Sequence, residues 1–295
     1  MARGVRRELF SFEYIFGRMH HNKKRKGAID TSCSLLLTKI KNKSRAIRLL
    51  YLTLGAFVVI TLVRSFCDGE YFNAFVCFLT LGLFVLPPLS QSLLGLCFPD
   101  LFEGLVLLFI FATEILGEIY CFYQRVPHWD TALHTVSGFL LAALGFAMVE
   151  LVNRDAGARR RVAPLCVATV AICFSMTVGV LWEFFEFGCD ALLHTDMQKD
   201  TYVGEIYTVL LDEAKSNTVV PVRNMQRVVL YCRDGEGQTC EVVLDGYIDI
   251  GLLDTMKDLA ANFAGAVIFS VIGYVYVKRR ARGGVASRLI PTLKE

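Results

Sequence analysis

Residues 162–192 read VAPLCVATVAICFSMTVGVLWEFFEFGCDAL, an apolar run that carries Glu183, Glu186 and Asp190 near its end. The run exceeds the roughly 20 residues that a helix needs to cross the hydrocarbon core of a bilayer. An acidic side chain at the bilayer centre costs roughly 2.5 kcal/mol or more, so such residues are rare and usually functional. The stretch therefore predicts a membrane helix with a polar site at one end.

The rest of the chain has the same character. Of its 295 residues, 54% are hydrophobic and the mean hydropathy is +0.47, above the roughly 45–50% apolar content of ordinary globular domains. Asp100 and Glu103 fit a variant of the helix capping box. Six segments approach membrane-spanning length: residues 49–66, 71–86, 101–123, 130–152, 162–192 and 254–277.

The basic residues orient these segments. Residues 1–48 hold thirteen of the 31 Lys and Arg residues, and further basic clusters follow the fourth and sixth segments. With six spans all three regions fall on one face, which the positive-inside rule makes cytoplasmic. We therefore expect a cell-membrane protein with both termini in the cytoplasm. We favour contact of the basic tail with anionic lipid over nucleic-acid binding.

These patterns predict an all-α integral membrane protein, a six-span helical bundle with a small β-hairpin insertion on the outer face. The hairpin strands are residues 227–232 and 240–244, flanking a Gly-rich turn. A three-residue loop would place Cys232 opposite Cys240, where a disulfide could form. The predicted divisions are a basic tail (1–48), spans one to five (49–192), the insertion (193–250), span six (251–281) and a cytoplasmic tail (282–295).

Four of the predicted helices place polar side chains at similar depth, near their outer ends. Within each helix the spacing of three, four or eight residues puts these side chains on one face. Such stripes are expected to face the bundle interior or a water-filled cavity. The convergence predicts one outer-leaflet pocket that contains Glu114, Glu118, Asp130, His134, Glu183, Glu186, Asp254, Asp258 and Asn262.

So many carboxylates repel one another unless a cation or a proton relieves them. Carboxylate and amide oxygens suit Mg, Ca or Mn, and a histidine allows Zn or Fe. We therefore expect a divalent metal cation. Its predicted ligands are Asp130, Glu183, Asp254, Asp258 and Asn262, with His134 or Glu186 as acid/base catalyst and Glu114 and Glu118 as supporting acids.

Structural interpretations remain open for several of these residues. Asp130 and Asp254 also fit helix N-termini, where carboxylates are favoured. His134 also fits a hydrogen-bonded structural histidine. Glu183 and Glu186 also fit solvated acids at the membrane interface.

Three strings carry a family resemblance: Asp130-x-x-x-His134-x-x-x-Gly138, Glu183-x-x-Glu186, and Asp254-x-x-x-Asp258-x-x-x-Asn262-x-x-Gly265. This ordered set resembles the YjdF-like family of bacterial membrane proteins and, more distantly, the VanZ-like family. The resemblance covers about residues 100–280. It implies a small multi-helix bacterial membrane protein, without implying a reaction.

Three functions follow as hypotheses. The leading one is a metal-dependent hydrolase or transferase that acts on a lipid or lipid-linked substrate. The second is an ion- or proton-coupled transporter, although the chain shows no internal repeat and its acids crowd one leaflet. The third is a structural or regulatory membrane protein that binds a partner through the outer hairpin.

Overall fold

A computed structural model describes residues 43–94, 96–155, 162–233, 235–279 and 285–293. Most of the predicted basic tail, residues 1–42, lies outside the described residues. So do residues 156–161, within the basic region that follows the fourth predicted span, and residues 280–284, within the one that follows the sixth. Among the described residues, five helices are long and apolar enough to cross a membrane: Arg45–Cys67, Tyr71–Ser90, Trp129–Glu150, Pro164–Leu193 and Leu252–Lys278.

The first helices form an apolar pair. Helix α1 (Arg45–Cys67) begins where the Ser44 hydroxyl accepts a hydrogen bond from the Ile47 amide. Helix α2 (Tyr71–Leu83) packs against it, and α3 (Leu86–Leu94) follows. Pro87 and Pro88 stand in the first turn of α3, where a missing amide proton is tolerated. The apolar helical run therefore continues to Ser90, beyond the predicted end of the second span at residue 86.

The third predicted span is built differently from the others. Helix α4 (Asp100–Ile110) passes directly into a nine-residue π-helix (Phe111–Ile119). Neither piece alone has the length of a span, so the prediction of six spans is not confirmed by helix length. The predicted capping box is wrong, because Pro99 is the N-cap and makes no side-chain capping bond. Glu103 is instead buried and contacts Lys43 and Tyr51.

Three long helices form the centre of the fold. After the short α5 (Phe122–Arg125), α6 (Trp129–Asp155), α7 (Pro164–Leu193) and α8 (Leu252–Arg279) pack against one another. Their shared core includes Phe146 and Phe269, whose rings meet edge to face with centroids 5.8 Å apart. This three-helix unit holds most of the predicted polar residues.

The segment between α7 and α8 is richer in strands than the single predicted hairpin. It contains three antiparallel pairs: β2 (Thr201–Val203) with β7 (Tyr247–Asp249), β3 (Ile206–Thr208) with β4 (Val220–Val222), and β5 (Val228–Arg233) with β6 (Thr239–Leu244). In the last pair Cys232 lies opposite Cys240, as the three-residue loop predicts, and both thiols are free. We call the end of the bundle that carries this segment the insertion end.

The opposite end of the bundle is closed by the C-terminal residues. Strand β1 (Leu96–Cys97) pairs with β8 (Thr292–Leu293), and the short helix α9 (Val285–Leu289) lies between α8 and β8. Ile290 is buried in the core that includes Phe146. The described part of the predicted C-terminal tail is therefore packed against the bundle.

Candidate functional site

Two helices bring two of the predicted ligands and one predicted acid/base catalyst together at the insertion end. Asp130 and His134 lie one turn apart at the start of α6, and Asp258 faces them from the second turn of α8. The Nε2 atom of His134 lies 3.5 Å from an Asp130 oxygen and 3.7 Å from an Asp258 oxygen. One potential ligand atom from each residue lies within 4.8 Å of the other two. This spacing allows all three side chains to contact one small ion.

The two aspartates of this group also approach each other. One carboxyl oxygen of each lies within 4.8 Å of the other, and Asp258 is only 3% exposed. Two ionised carboxylates cannot share such a position without a proton or a cation between them. The pair therefore needs a proton or a cation, and His134 is the basic side chain that lies beside both carboxylates.

Helix α7 adds two buried acids to the same region. Glu183 is 4% exposed and Glu186 is 9% exposed, and both interact electrostatically with Asp258. The indole nitrogen of Trp182 donates a hydrogen bond of 2.8 Å to Glu186. The sequence gives no separate signal for this contact, because a tryptophan near the end of a membrane helix is also typical of an interfacial anchor.

The residues that follow α7 fold back over these acids. We call residues 194–200 the strap. The Asp190 carboxylate accepts hydrogen bonds from the backbone amides of Met197 and Gln198, 2.7 and 2.8 Å long, and from the Thr195 hydroxyl. The Gln198 side chain donates to Thr255 at 2.7 Å and reaches Glu183 at 3.5 Å.

Asp254 is hydrogen-bonded to the strap. One of its oxygens accepts a 2.8 Å hydrogen bond from the Lys199 amide. Lys199 also attracts Glu118 and Asp130 electrostatically. At the end of the strap, burial and then the neighbouring charges of Asp196 and Asp249 raise the pKa of Asp200. The strap residues were missed from sequence because their contacts depend on how the chain reverses after α7.

Asn262 lies deeper and joins the three helices. Its amide nitrogen donates to the Ser175 carbonyl at 3.3 Å, and its amide oxygen lies 3.4 Å from the Ser175 hydroxyl. A Cβ atom on Gly138 would stand 2.1 Å from the Asn262 carbonyl, and one on Gly179 would stand 2.6 Å from its amide nitrogen. The structure therefore gives Asn262 a packing role, whereas the sequence pattern predicted a ligand.

The π-helix supplies the last two predicted acids. Glu114 and Glu118 interact with each other, and Glu118 also interacts with Asp130. Glu118 is exposed and Glu114 is half-buried, so they line the rim of the acidic group. Tyr123 of α5 faces the same acids, including Glu186. π-Helical turns occur often at functional sites.

The arrangement offers cation-binding chemistry. Asp130, His134 and Asp258 provide two carboxylates and an imidazole, a donor set suited to Mn, Zn or Fe and, through the oxygens alone, to Mg or Ca. Glu183 and Glu186 lie near enough to act on this group electrostatically. A cation held there would have acids beside it that can accept or donate a proton.

One comparison with known proteins gives a match. A family described as "Predicted membrane protein (DUF2238)" matches residues 47–279, a range that contains all nine predicted site residues. No curated protein and no solved structure matches the chain.

Proposed function

We propose that this chain, which belongs to the DUF2238 family of predicted membrane proteins, binds a divalent cation through Asp130, His134 and Asp258. The observation that carries the proposal is the approach of these three side chains, from two helices, to within 4.8 Å of one another. A divalent ion would relieve the repulsion between the two aspartates, which a neutral ligand would leave in place.

The neighbouring residues have distinct roles in this proposal. Glu183 completes the ligand set from α7, and Glu186 acts as acid/base catalyst. Asp254 supports the site through the strap, and Asn262 supports it through helix packing. The predicted assignments of Asp254 and Asn262 as ligands thereby become supporting roles, because hydrogen bonds already engage both side chains.

The reaction that suits this site is hydrolysis or group transfer on a lipid or lipid-linked substrate. A cation held by Asp130, His134 and Asp258 would polarise a phosphoryl or carbonyl oxygen or activate water, and Glu186 would accept or donate the proton. The membrane setting supports a lipid as the source of that oxygen.

We also propose how the chain crosses the membrane and which families it resembles. We infer six crossings, with α4 and the π-helix together forming the third, both termini cytoplasmic and the insertion end outside the cell membrane. The basic regions of the sequence support that orientation. The ordered strings around Asp130, Glu183 and Asp254 support the resemblance to the YjdF-like and VanZ-like families.

One observation favours a second candidate. The Asp130 and Asp258 carboxyl groups, which have oxygens within 4.8 Å of each other, could also share a proton. A protein that uses the pair in this way would be a proton-coupled transporter. Proton-dependent solute flux in proteoliposomes, without any bound metal, would favour this candidate.

Elemental analysis of the detergent-purified protein tests the cation site. After exposure to Mg, Mn and Zn and removal of free ions, we expect about one equivalent of one metal per chain. Asp258→Asn and His134→Gln should each lower its affinity by at least roughly 10- to 100-fold, the range seen for groups that only support a metal ligand.

Glu103→Gln is the matched control, because Glu103 is also a buried acid but lies at the opposite end of the bundle. It should leave metal content unchanged. A wild-type protein without metal would contradict the cation site, as would equal metal loss in all three variants. Metal binding without cation-dependent turnover of lipids would leave the structural or regulatory hypothesis as the better account.

A further inference from the structure

The strap covers the aqueous side of the acidic group. It is tied to α7 through Asp190 and Glu183, and to the first turn of α8 through Asp254 and Thr255. Glu183 lies ten residues before the end of α7, which corresponds to about 15 Å of helix. The strap therefore runs back along the helix to reach Glu183, and its hydrogen bonds bridge α7 and α8 at the insertion end.

On the outer surface of α7 the acidic group adjoins exposed aromatic side chains instead of the strap. Trp182 is 46% exposed on α7, yet its indole nitrogen contacts Glu186, which is 9% exposed. The Trp182 ring packs on Phe185, with centroids 5.3 Å apart, and Phe185 is 54% exposed. One side chain thus connects the apolar surface of the bundle to a buried acid of the site.

The side facing the π-helix is also partly open. Glu118 is exposed, Glu114 is half-buried, and Tyr123 interacts electrostatically with Glu186 across this side. From the exposed Trp182 inward, the side chains therefore change from aromatic to acidic. An amphipathic molecule would meet apolar surface first and polar groups next.

We propose that the substrate reaches the acidic group laterally from the bilayer, past Trp182 between α7 and the π-helix, while the strap excludes water-soluble solutes from the insertion end. The substrate class is a lipid whose headgroup enters the site while its chains stay along the aromatic surface of α7. This inference rests on the proposed function, which makes a lipid the substrate. The route itself does not require a bound metal.

Two carbodiimides, one soluble in membranes and one soluble in water, test the route in the full-length protein in proteoliposomes. Both modify carboxyl groups, and mass mapping locates the products. We expect Glu186 to be modified by the membrane-soluble reagent and spared by the water-soluble one. Glu241, exposed on β6, is the internal reference and should react with the water-soluble reagent.

Asp190→Ala tests the strap. The change removes the acceptor of three hydrogen bonds, so it should raise modification of Glu186 by the water-soluble reagent about tenfold. Asp196→Ala is the matched control, because Asp196 lies in the strap but contacts only Lys199 among the described ion pairs. It should leave the modification of Glu186 unchanged.

Three results would overturn the lateral route. The first is that Glu186 in the wild-type protein reacts with the water-soluble reagent as fast as Glu241 does, and the second is that it reacts with neither reagent. The third result is equal labelling of Glu186 in Asp190→Ala and Asp196→Ala. Metal content is measured on the same preparations. Normal metal content with water-soluble labelling would refute only the route, and lateral labelling without metal would refute only the cation site.

Discussion

At the scale of single residues, Asp212 shows how one carboxylate can organise a turn. It accepts hydrogen bonds from the Thr218 amide at 3.0 Å and from the Ser216 amide at 2.7 Å and hydroxyl at 3.0 Å. These donors stabilise the charged form, so the bond from Thr218, followed by those from Ser216, holds the pKa of Asp212 below its usual range. The turn between β3 and β4 therefore depends on an ionised Asp212.

This dependence predicts a pH effect. A depressed pKa in the folded state means that Asp212 stabilises the turn above its ordinary pKa of about 3.9 and loses this contribution as the pH falls through the lower folded value. The protection factors of the Ser216 and Thr218 amides, measured against the intrinsic exchange rate at each pH, should be high at neutral pH and should fall in that acidic window.

Asp212→Ala should accelerate the same exchange already at pH 7. Glu213→Ala, one residue away, is the control and should not. Unchanged protection at Ser216 and Thr218 in Asp212→Ala would contradict the role given to this carboxylate.

Glu103 shows that burial alone does not identify a functional acid. It is fully buried, yet Lys43 Nζ lies 2.5 Å from one oxygen and the Tyr51 hydroxyl donates to the other at 3.0 Å. A buried charge with such partners is compensated. Asp130 and Asp258 instead share one imidazole, because His134 Nε2 lies 3.5 Å from an Asp130 oxygen and 3.7 Å from an Asp258 oxygen. The candidate site thus holds two carboxylates beside a single basic side chain, whereas Glu103 is one carboxylate with two donors.

At the scale of elements, three glycines set the spacing of the central helices. A Cβ atom on Gly265 would stand 1.9 Å from the Thr135 carbonyl oxygen. Cβ atoms on Gly138 and Gly179 would stand 2.1 and 2.6 Å from atoms of Asn262. Small residues let membrane helices approach closely and pack without a hydrophobic driving force between them. This close approach of α6 and α8 brings His134 within reach of Asp258.

Gly265→Ala should therefore force α6 and α8 apart. Overpacking of this kind typically costs about 1–3 kcal/mol, and more when backbone must move. Equilibrium unfolding in mixed detergent micelles would measure the loss. Gly55→Ala in α1 is the control, since a Cβ there meets nothing within 4 Å, and a stability loss equal to that of Gly265→Ala would contradict the packing argument.

At the scale of the whole molecule, the two ends of the bundle are chemically distinct. The insertion end carries the acids, the strap and the β pairs. The opposite end carries β1 paired with β8 and the Glu103 ion pair. Among the described residues, Lys43, Lys278 and Arg279 lie at that opposite end. We propose, by the positive-inside rule, that this end faces the cytoplasm.

This asymmetry predicts the orientation in the membrane. An epitope tag inserted after Glu236, in the turn between β5 and β6, should be reached by antibody on intact cells. A tag after Glu295 should be reached only after permeabilisation and serves as the control. Reversed accessibility would contradict the orientation and place the acidic group in the inner leaflet.

The sequence by itself determined much of this protein. Long apolar runs fixed helices α1, α6, α7 and α8, because backbone polar groups in lipid must be satisfied within the helix. The alternation of residues around the Gly-rich turn predicted the pairing of Cys232 with Cys240. The similar depth of the polar side chains on four helices predicted one pocket of nine residues, and the structure brings Asp130, His134 and Asp258 of that set together.

The tertiary structure alone decided the remaining features. Glu114 and Glu118 were predicted to share one face on the period of an α-helix, but they stand on a π-helix, which has a different period. The apolar sequence does not distinguish a π-helix from an α-helix. The strap assigns Asp254 to a backbone amide, and the meeting of three helices assigns Asn262 to Ser175. A sequence pattern gives the face of a helix on which a polar group stands, but the partner on that face depends on how the other helices and loops pack against it.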